Sequence, residues 1–539
     1  MTKWPPGAAL LLPALLLAQS DAPGPRVATY RSAVDDSDQP YALYLPNSFK
    51  PDKPYPLVIA LHEEESNHIF QLKRLFGIPT RFGESGLQAL SLRTFSAPGN
   101  IDFIAACPFA RGSMGYRGIA EQDVYDVLAD VKRRFLIDED RIYLTGSGMG
   151  GGGALWLALT RPGDWAAVAA ICPDTIPGSE ELAPNALNLP IRLFQGELDP
   201  LVSVESTRAW HRRLLNAGAP VEYVEYPGVR HNAWDFAYKN AAIFAWLAQF
   251  RRNAAPNHIH FVTRSPRYST AYGLRIDGFQ PGRLATIDAT GNHIQTQSVD
   301  AFTIHVGQAS WPVMEKPVVT IDATPIRVPR NTALTFIKSA TGWTLAHPTV
   351  AQRAVPAIAD AVSARHIYVY PTLGVQTDDD LTARRRVAEQ AASWSTARAH
   401  LNLTLAVKAD NAITEDDIET ADLVLFGTRE TNLLISRFTL PIELSPAAAD
   451  YGLLFIASTG KHYALISSGL PWWTGAGETH RGGYRFAPEP YRLLTTFGDY
   501  ILFKGSLANV VSEGLYDSNW KIPPEAAAKM LGTGTVTIH

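Results

Sequence analysis

Two cysteines, Cys107 and Cys172, are all that 539 residues contain, which excludes a disulfide scaffold and a Cys-rich zinc module. Charge of one sign is missing too. The 48 basic and 52 acidic side chains leave a formal charge of −4, with no cationic field of the kind that holds nucleic acid or an anionic membrane. No apolar run approaches the roughly 20 residues needed to cross a bilayer. No internal repeat stands out, which argues against solenoids and propellers. Apolar residues make up 46% of the chain and charged ones 19%, an ordinary globular balance. A chain of this length is expected to divide into about three or four domains.

Lys3, an apolar run from Ala8 to Ala18, and then Gln19, Ser20 and Asp21 match the three parts of a secretory signal. Residues 1–20 are therefore read as a leader and the protein as secreted or periplasmic. In residues 21–252, short apolar runs alternate with helix-like stretches. Pro56–Leu61, Ile101–Ala106, Arg141–Thr145, Ala167–Ile171, Ile191–Phe194 and Val221–Tyr226 are mostly continuous, as strands buried on both faces should be. Val124, Val127, Leu128, Val131 and Phe135 recur at helical spacing. Strand and helix in turn predict a parallel sheet with crossover helices. Residues 257–350, rich in Thr, Val, Ile and turn residues, read as a small β-rich module. Residues 364–510 read as a second small α/β domain: strands at Ile367–Tyr370, Leu403–Val407 and Leu423–Phe426, a helix from Asp379 to Ala397, and a helix start at Thr414 with an acid at the capping-box position. Residues 511–539 read as a tail.

The most informative stretch runs from Arg141 to Trp156: a strand, then Gly146, Ser147, Gly148, Met149 and Gly150 to Gly153, then a helix. A sharp strand-to-helix turn needs such glycines because the two backbones pass very close. Asp199 lies at the end of a later strand and His231 after the last one. Nucleophile, acid, histidine is the chain order of α/β-hydrolases.

These residues resemble the secreted feruloyl esterase, acetylxylan esterase and polyhydroxybutyrate depolymerase-like group, which overlaps prolyl-oligopeptidase-type catalytic domains. The likeness spans about two fifths of the chain. It implies an α/β-hydrolase fold without a cofactor, acting on a small-molecule or polymer ester, with His231 as base and Asp199 orienting the ring, and Ser147 is the hydroxyl available to attack. In that group's spacing, however, Gly146 is the first elbow glycine, and Gly148, followed by Met149 and Gly150, stands where the serine belongs. Glycine has no atom with which to attack a carbonyl. Ser147 one residue earlier would put Met149 in the tight part of the turn. The oxyanion loop departs as well: where small residues are expected after the third strand, the chain has His62, Glu63, Glu64 and Glu65, and a carboxylate close to a growing oxyanion would oppose it. Met149 would supply the other oxyanion group. The Glu run otherwise reads as a solvated loop.

Two functions follow. One is an exported serine-type hydrolase of plant-wall acyl esters, phenolic esters or polyesters. The other is a non-enzymatic binding protein on the same fold, because Gly148 fills the nucleophile slot. Peptide hydrolysis on the same machinery is a further alternative. Arg111, Tyr116 and Trp234 are candidate substrate contacts, with packing as their plainer reading. Gly146, Gly148 and Gly151 also fit a dinucleotide fingerprint, but Asp174 comes about 28 residues after Gly146, a loose spacing that leaves Asp199 and His231 unexplained. His258 and His260 share a strand face without a third ligand, so no metal site is expected. Trp472 and Trp473 read either as a stacking platform or as packing. Cys107 and Cys172 end strands that the fold would hold roughly 14 Å apart, too far for a bridge.

Overall fold

A computed structural model describes residues 22–78, 101–306, 318–330, 333–346, 357–394, 401–477, 490–517 and 519–539, with the backbone alone of 479–481 and 484–486. The expected leader, residues 1–20, and the expected helix end near Ala397 lie outside the described residues.

The first unit is an eight-stranded sheet: β1 (Gly24–Arg31), β2 (Asp38–Leu45), β3 (Tyr55–Leu61), β4 (Ile104–Pro108), β5 (Ile137–Ser147), β6 (Ala167–Ile171), β7 (Ile191–Gly196) and β8 (Val221–Tyr226). Its spatial order is β1-β2-β4-β3-β5-β6-β7-β8. Strands β3 to β8 run parallel, and β2 lies antiparallel to both β1 and β4 at one edge. Every residue of β3, β4 and β6 is buried, because helices cover both faces of a parallel sheet. Helix α1 (His68–Leu75) is capped by Asn67, whose side chain accepts from the N–H groups of Ile69 and Phe70. Helix α2 (Ile119–Arg134) turns Val124, Val127, Leu128 and Val131 inward. Helix α3 (Met149–Thr160) follows β5 directly and is buried from Gly150 onward. Leu155, Leu157 and Leu159 are each fully buried, stabilising the unit by roughly 1.5–3 kcal/mol apiece. Helix α4 (Val204–Asn216) starts from Ser203, not from Asp199. Asp199 is thereby free for another task.

The described residues between His258 and Ala346 form two five-stranded sheets, whose alternating inward residues, Ile259 and Phe261, Ile287 and Ala289, Phe302 and Ile304, build a common core. The third unit is a seven-stranded mixed sheet. It contains the expected strands His366–Tyr370 and Asp422–Phe426 and the expected Thr414–Asp417 capping box. Its helix runs Asp378–Ala392 and its next strand Ala406–Ala409, three residues later than the apolar run at Leu403 predicted. The expected tail is no tail: Val510–Gly514 pairs with Tyr500–Lys504 in that sheet, and Val536–Ile538 pairs with Ile442–Leu444. Burial of Ser512, Tyr516, Ile522 and Met530 fastens this segment to the third core.

The units are joined by buried polar contacts. Asn185 donates to Leu159 O and Val262 O and accepts from Val262 N. Tyr268 donates to Glu121 Oε2 at 2.5 Å. Arg111 reaches Asn402 O at 2.9 Å. Trp472 is fully buried and donates to Pro490 O, with Trp473 edge-on to it, so this pair packs the third unit.

Candidate functional site

The site lies beyond the carboxyl ends of the parallel strands, where open α/β sheets place their ligands. The chain passes from β5 into α3 through Gly148, at φ 55° and ψ −120°, a conformation that costs any residue with a Cβ. Gly150 has the other constraint: a Cβ there would stand 2.2 Å from Leu61 O, so only a bare backbone lets α3 approach β3. Gly146 is as tightly placed, against Gly150 O at 2.2 Å.

The apex of the turn is Gly148. A Cβ at this position would lie 3.3 Å from His231 Nε2 and 3.2 Å from Glu63 Cβ. Ser147 does not reach the apex. It is the last residue of β5, paired with Ile171 and fully buried, and its Oγ has no hydrogen-bond partner. The sequence expectation that Ser147 attacks is corrected on this ground: the strained conformation falls one residue later, and strand pairing holds Ser147 inside the sheet.

Asp199 and His231 do come together. His231 Nδ1 donates to Asp199 Oδ2 across 2.8 Å, which leaves Nε2 on the side of the apex. Asp199 is anchored by the N–H groups of Leu201 and Val202 at 2.9 and 3.1 Å and by Gln195 Nε2 at 3.1 Å. Burial pushes its carboxyl up, but the His231 ring and the two N–H groups together hold it below the usual carboxylate range. Trp234 stands edge-on to the His231 ring at 5.3 Å.

The Glu run divides. Glu64 and Glu65 are exposed, whereas Glu63 turns inward. Its Oε2 lies 3.7 Å from His231 Nε2 and its Oε1 2.9 Å from Arg74 Nη1, an ionic contact without hydrogen-bond alignment. The Arg74 guanidinium in turn lies 4.5 Å over the Trp234 ring. Glu63, Arg74 and Trp234 thus wall the apex. His62 contributes no donor to this space: it is fully buried, its ring nitrogens 2.8 Å from Glu63 O and 2.9 Å from Phe109 O, and burial pushes its pKa down. Met149, one residue past the apex, opens α3, and its N–H belongs to the helix turn that lacks intrahelical partners.

Two expected substrate contacts are supports instead. Arg111 is fully buried, bonded to Asp123 at 2.6 Å, Asp35 at 2.7 Å and Ser32 at 2.6 Å. Tyr116 is fully buried and donates to His62 O at 3.0 Å, its ring packed against Gly153. Loop position pointed to a cleft, but partners far off in sequence draw both inward.

Both cysteines are free and buried. Cys172 lies beside the site: its thiol, the Asp199 carboxylate and the His231 ring have ligand atoms within 4.8 Å of one another. Among the described residues this is the one group of three potential metal ligands. Burial pushes the thiol well up, and a cation there would have to displace its proton and the Nδ1 hydrogen bond as well. His258 and His260 both face Asp288, at 3.0 and 2.6 Å. Sequence reasoning missed Arg74 and Cys172. Cys172, with a positive φ of 44° at the end of β6, carried a readable signal only in its strand-end position.

Residues 112–252 match the model of the dienelactone hydrolase family. That match and the strand order define the first unit as an α/β-hydrolase-like fold. No curated protein matches the chain. Among solved structures, a thermostable esterase is 23% identical over 42% of this chain and 63% of its own, with a TM-score of 0.35. This chain therefore spans under two thirds of that protein. A ferulic acid esterase is 19% identical over 42% of this chain and 98% of its own, with a TM-score of 0.34. A ferulic acid esterase from Anaeromyces mucronatus is 17% identical over 41% and 90%, with a TM-score of 0.32.

Proposed function

We propose that the first unit hydrolyses carboxylic esters by direct attack of water, without an acyl-serine intermediate. The observation that carries this reading is the pairing of His231 with Asp199 at 2.8 Å, with Nε2 beside an apex that offers no side chain. The space left by Gly148 suits a water held between His231 Nε2 and Glu63 Oε2. In the reaction the water oxygen bonds to the ester carbon while its proton passes to Nε2. The tetrahedral intermediate then expels the alkoxide, which takes that proton from the ring, giving acid and alcohol. Asp199 steadies the ring while it carries the proton. Arg74 draws charge from Glu63, which lessens the repulsion a developing oxyanion would meet, and the Met149 N–H is a donor for that oxyanion. We place the protein outside the cytoplasm on its N-terminal residues, and its substrate among acyl esters of wall sugars, phenols or polyesters by resemblance.

A second reading, a binding protein without turnover, is favoured by the inward carboxylate of Glu63 beside Gly148. One experiment separates the two. The full chain is assayed on short-chain aryl esters and exposed to a fluorophosphonate. Ester turnover that falls about 10²–10⁴-fold in His231→Ala, with no fluorophosphonate labelling of the parent, supports water attack. Gly148→Ser should introduce labelling. A parent without turnover sinks the ester reading and leaves the binding one.

A further inference from the structure

A cavity of about 840 Å³ opens where the three units meet, within the range of roughly 300–1,000 Å³ typical of small-molecule sites. One end reaches Met149 and Asp174, whose N–H is bonded to Gly148 O at 3.0 Å. His231 and Glu63 do not line it. Its walls include Trp156, Trp394 and Tyr491 from two different units.

Asp499 lines the cavity and is 2% exposed. Its Oδ2 accepts from Tyr516 N at 2.7 Å, whereas its Oδ1 has no hydrogen-bond partner. A buried carboxyl oxygen that no protein donor reaches is costly, so this one would gain from a donor or a cation brought by a ligand. The surrounding charges do not fill it. Asp360 and Glu121 interact with Arg117 and Arg267, and Asp422, which also feels Asp360, is matched by His462 at 3.4 Å. Among the described residues the charge that acts on Asp499 is that of Asp360, and neither guanidinium does. Arg492 also lines the cavity but is exposed. Burial, with repulsion from Asp360, pushes the Asp499 carboxyl up to about 7. Among the described residues no group of three metal ligands includes Asp499 or Asp360, whereas the aromatic walls already hold cations of the chain, Arg117 at 4.8 Å over Trp156 and Arg492 at 5.4 Å over Tyr491, with Trp394 stacked on Tyr491, a surface that suits a cation with an apolar body.

We propose that this cavity binds an organic monocation, an ammonium group on an apolar body, with the ammonium at Asp499 and the body against Trp156, Trp394 and Tyr491. The site is separate from His231 and independent of the ester reading. The full chain, titrated at about pH 8 with benzylamine and with trimethylbenzylammonium, should show saturable binding by tryptophan fluorescence and calorimetry. Benzyl alcohol, the neutral control of similar shape, should bind at least about ten-fold more weakly. Asp499→Asn and Asp360→Asn, which each keep a backbone hydrogen bond, should each lose about ten-fold or more, whereas His231→Ala should bind as the parent does. Equal affinity for the alcohol, undiminished binding by the folded variants, or no saturable binding of either ammonium at about 10 mM would overturn the proposal. Should D499N fail to fold, D360N and the alcohol control decide it.

Discussion

Two buried charged places in this molecule are built in opposite ways. Around Arg111 the guanidinium meets Asp123, Asp35, Ser32 and Asn402 O, all within 3 Å. Around Asp499 one carboxyl oxygen finds no hydrogen-bond donor of the protein. A buried charge with every hydrogen bond made is a support, and its removal hurts its partners; a buried charge left incomplete strains the fold and is kept for something outside it. Position in a loop misled the sequence reading about Arg111. Partner bookkeeping distinguishes the two.

The comparison breaks if the two places respond alike to substitution. Arg111→Met strands Asp35 and Asp123 without their cation and should destabilise the protein by about 3–5 kcal/mol, read from urea or thermal unfolding. An effect below about 1 kcal/mol would show that the contacts are decorative. Asp499→Asn should go the other way. The acid's folded-state pKa, about 7, lies above its ordinary value of 3.8, so the folded protein holds its proton more tightly than the unfolded chain. Its contribution is therefore most favourable below about pH 4 and is lost as pH rises toward 7. At pH 8 the variant should be the more stable, by about 4 kcal/mol at most, and the gap should close near pH 4. A pH-independent difference would remove Asp499 from the comparison. The smallest effect belongs to Ser147→Ala. Its hydroxyl is buried and unbonded, so stability and ester turnover should both change little, within about 0.5 kcal/mol. A large loss of turnover would return the nucleophile's role to Ser147.

Much of the fold was legible because burial on both faces writes continuous apolar runs, as in β3 and β6. Strand β1 was not: at the sheet edge, Gly24–Arg31 alternates exposed and buried residues only at its end. Val510–Gly514 hid in the same way, with two of five residues exposed. In the site, the order of Gly148, Asp199 and His231 was readable from turn chemistry and strand ends. The apex was readable as the slot where the resemblance places a nucleophile, although Gly146 and Gly150 are required just as strictly, by close backbone approach. The inward turn of Glu63 was not, because Arg74, on the following helix, decides which of three glutamates leaves solvent. Nor was Asp499, because which of its carboxyl oxygens finds a donor is settled only once Tyr516 is folded against it.

Asn185 spends its whole amide on the main chain of Leu159 and Val262, as a short rung of sheet would. Loosening the β-rich module would leave that group stranded inside the first unit. The two bodies, separate as sheets, are therefore wired to melt together, and a calorimetric scan of the chain should register them as one cooperative heat-absorption peak.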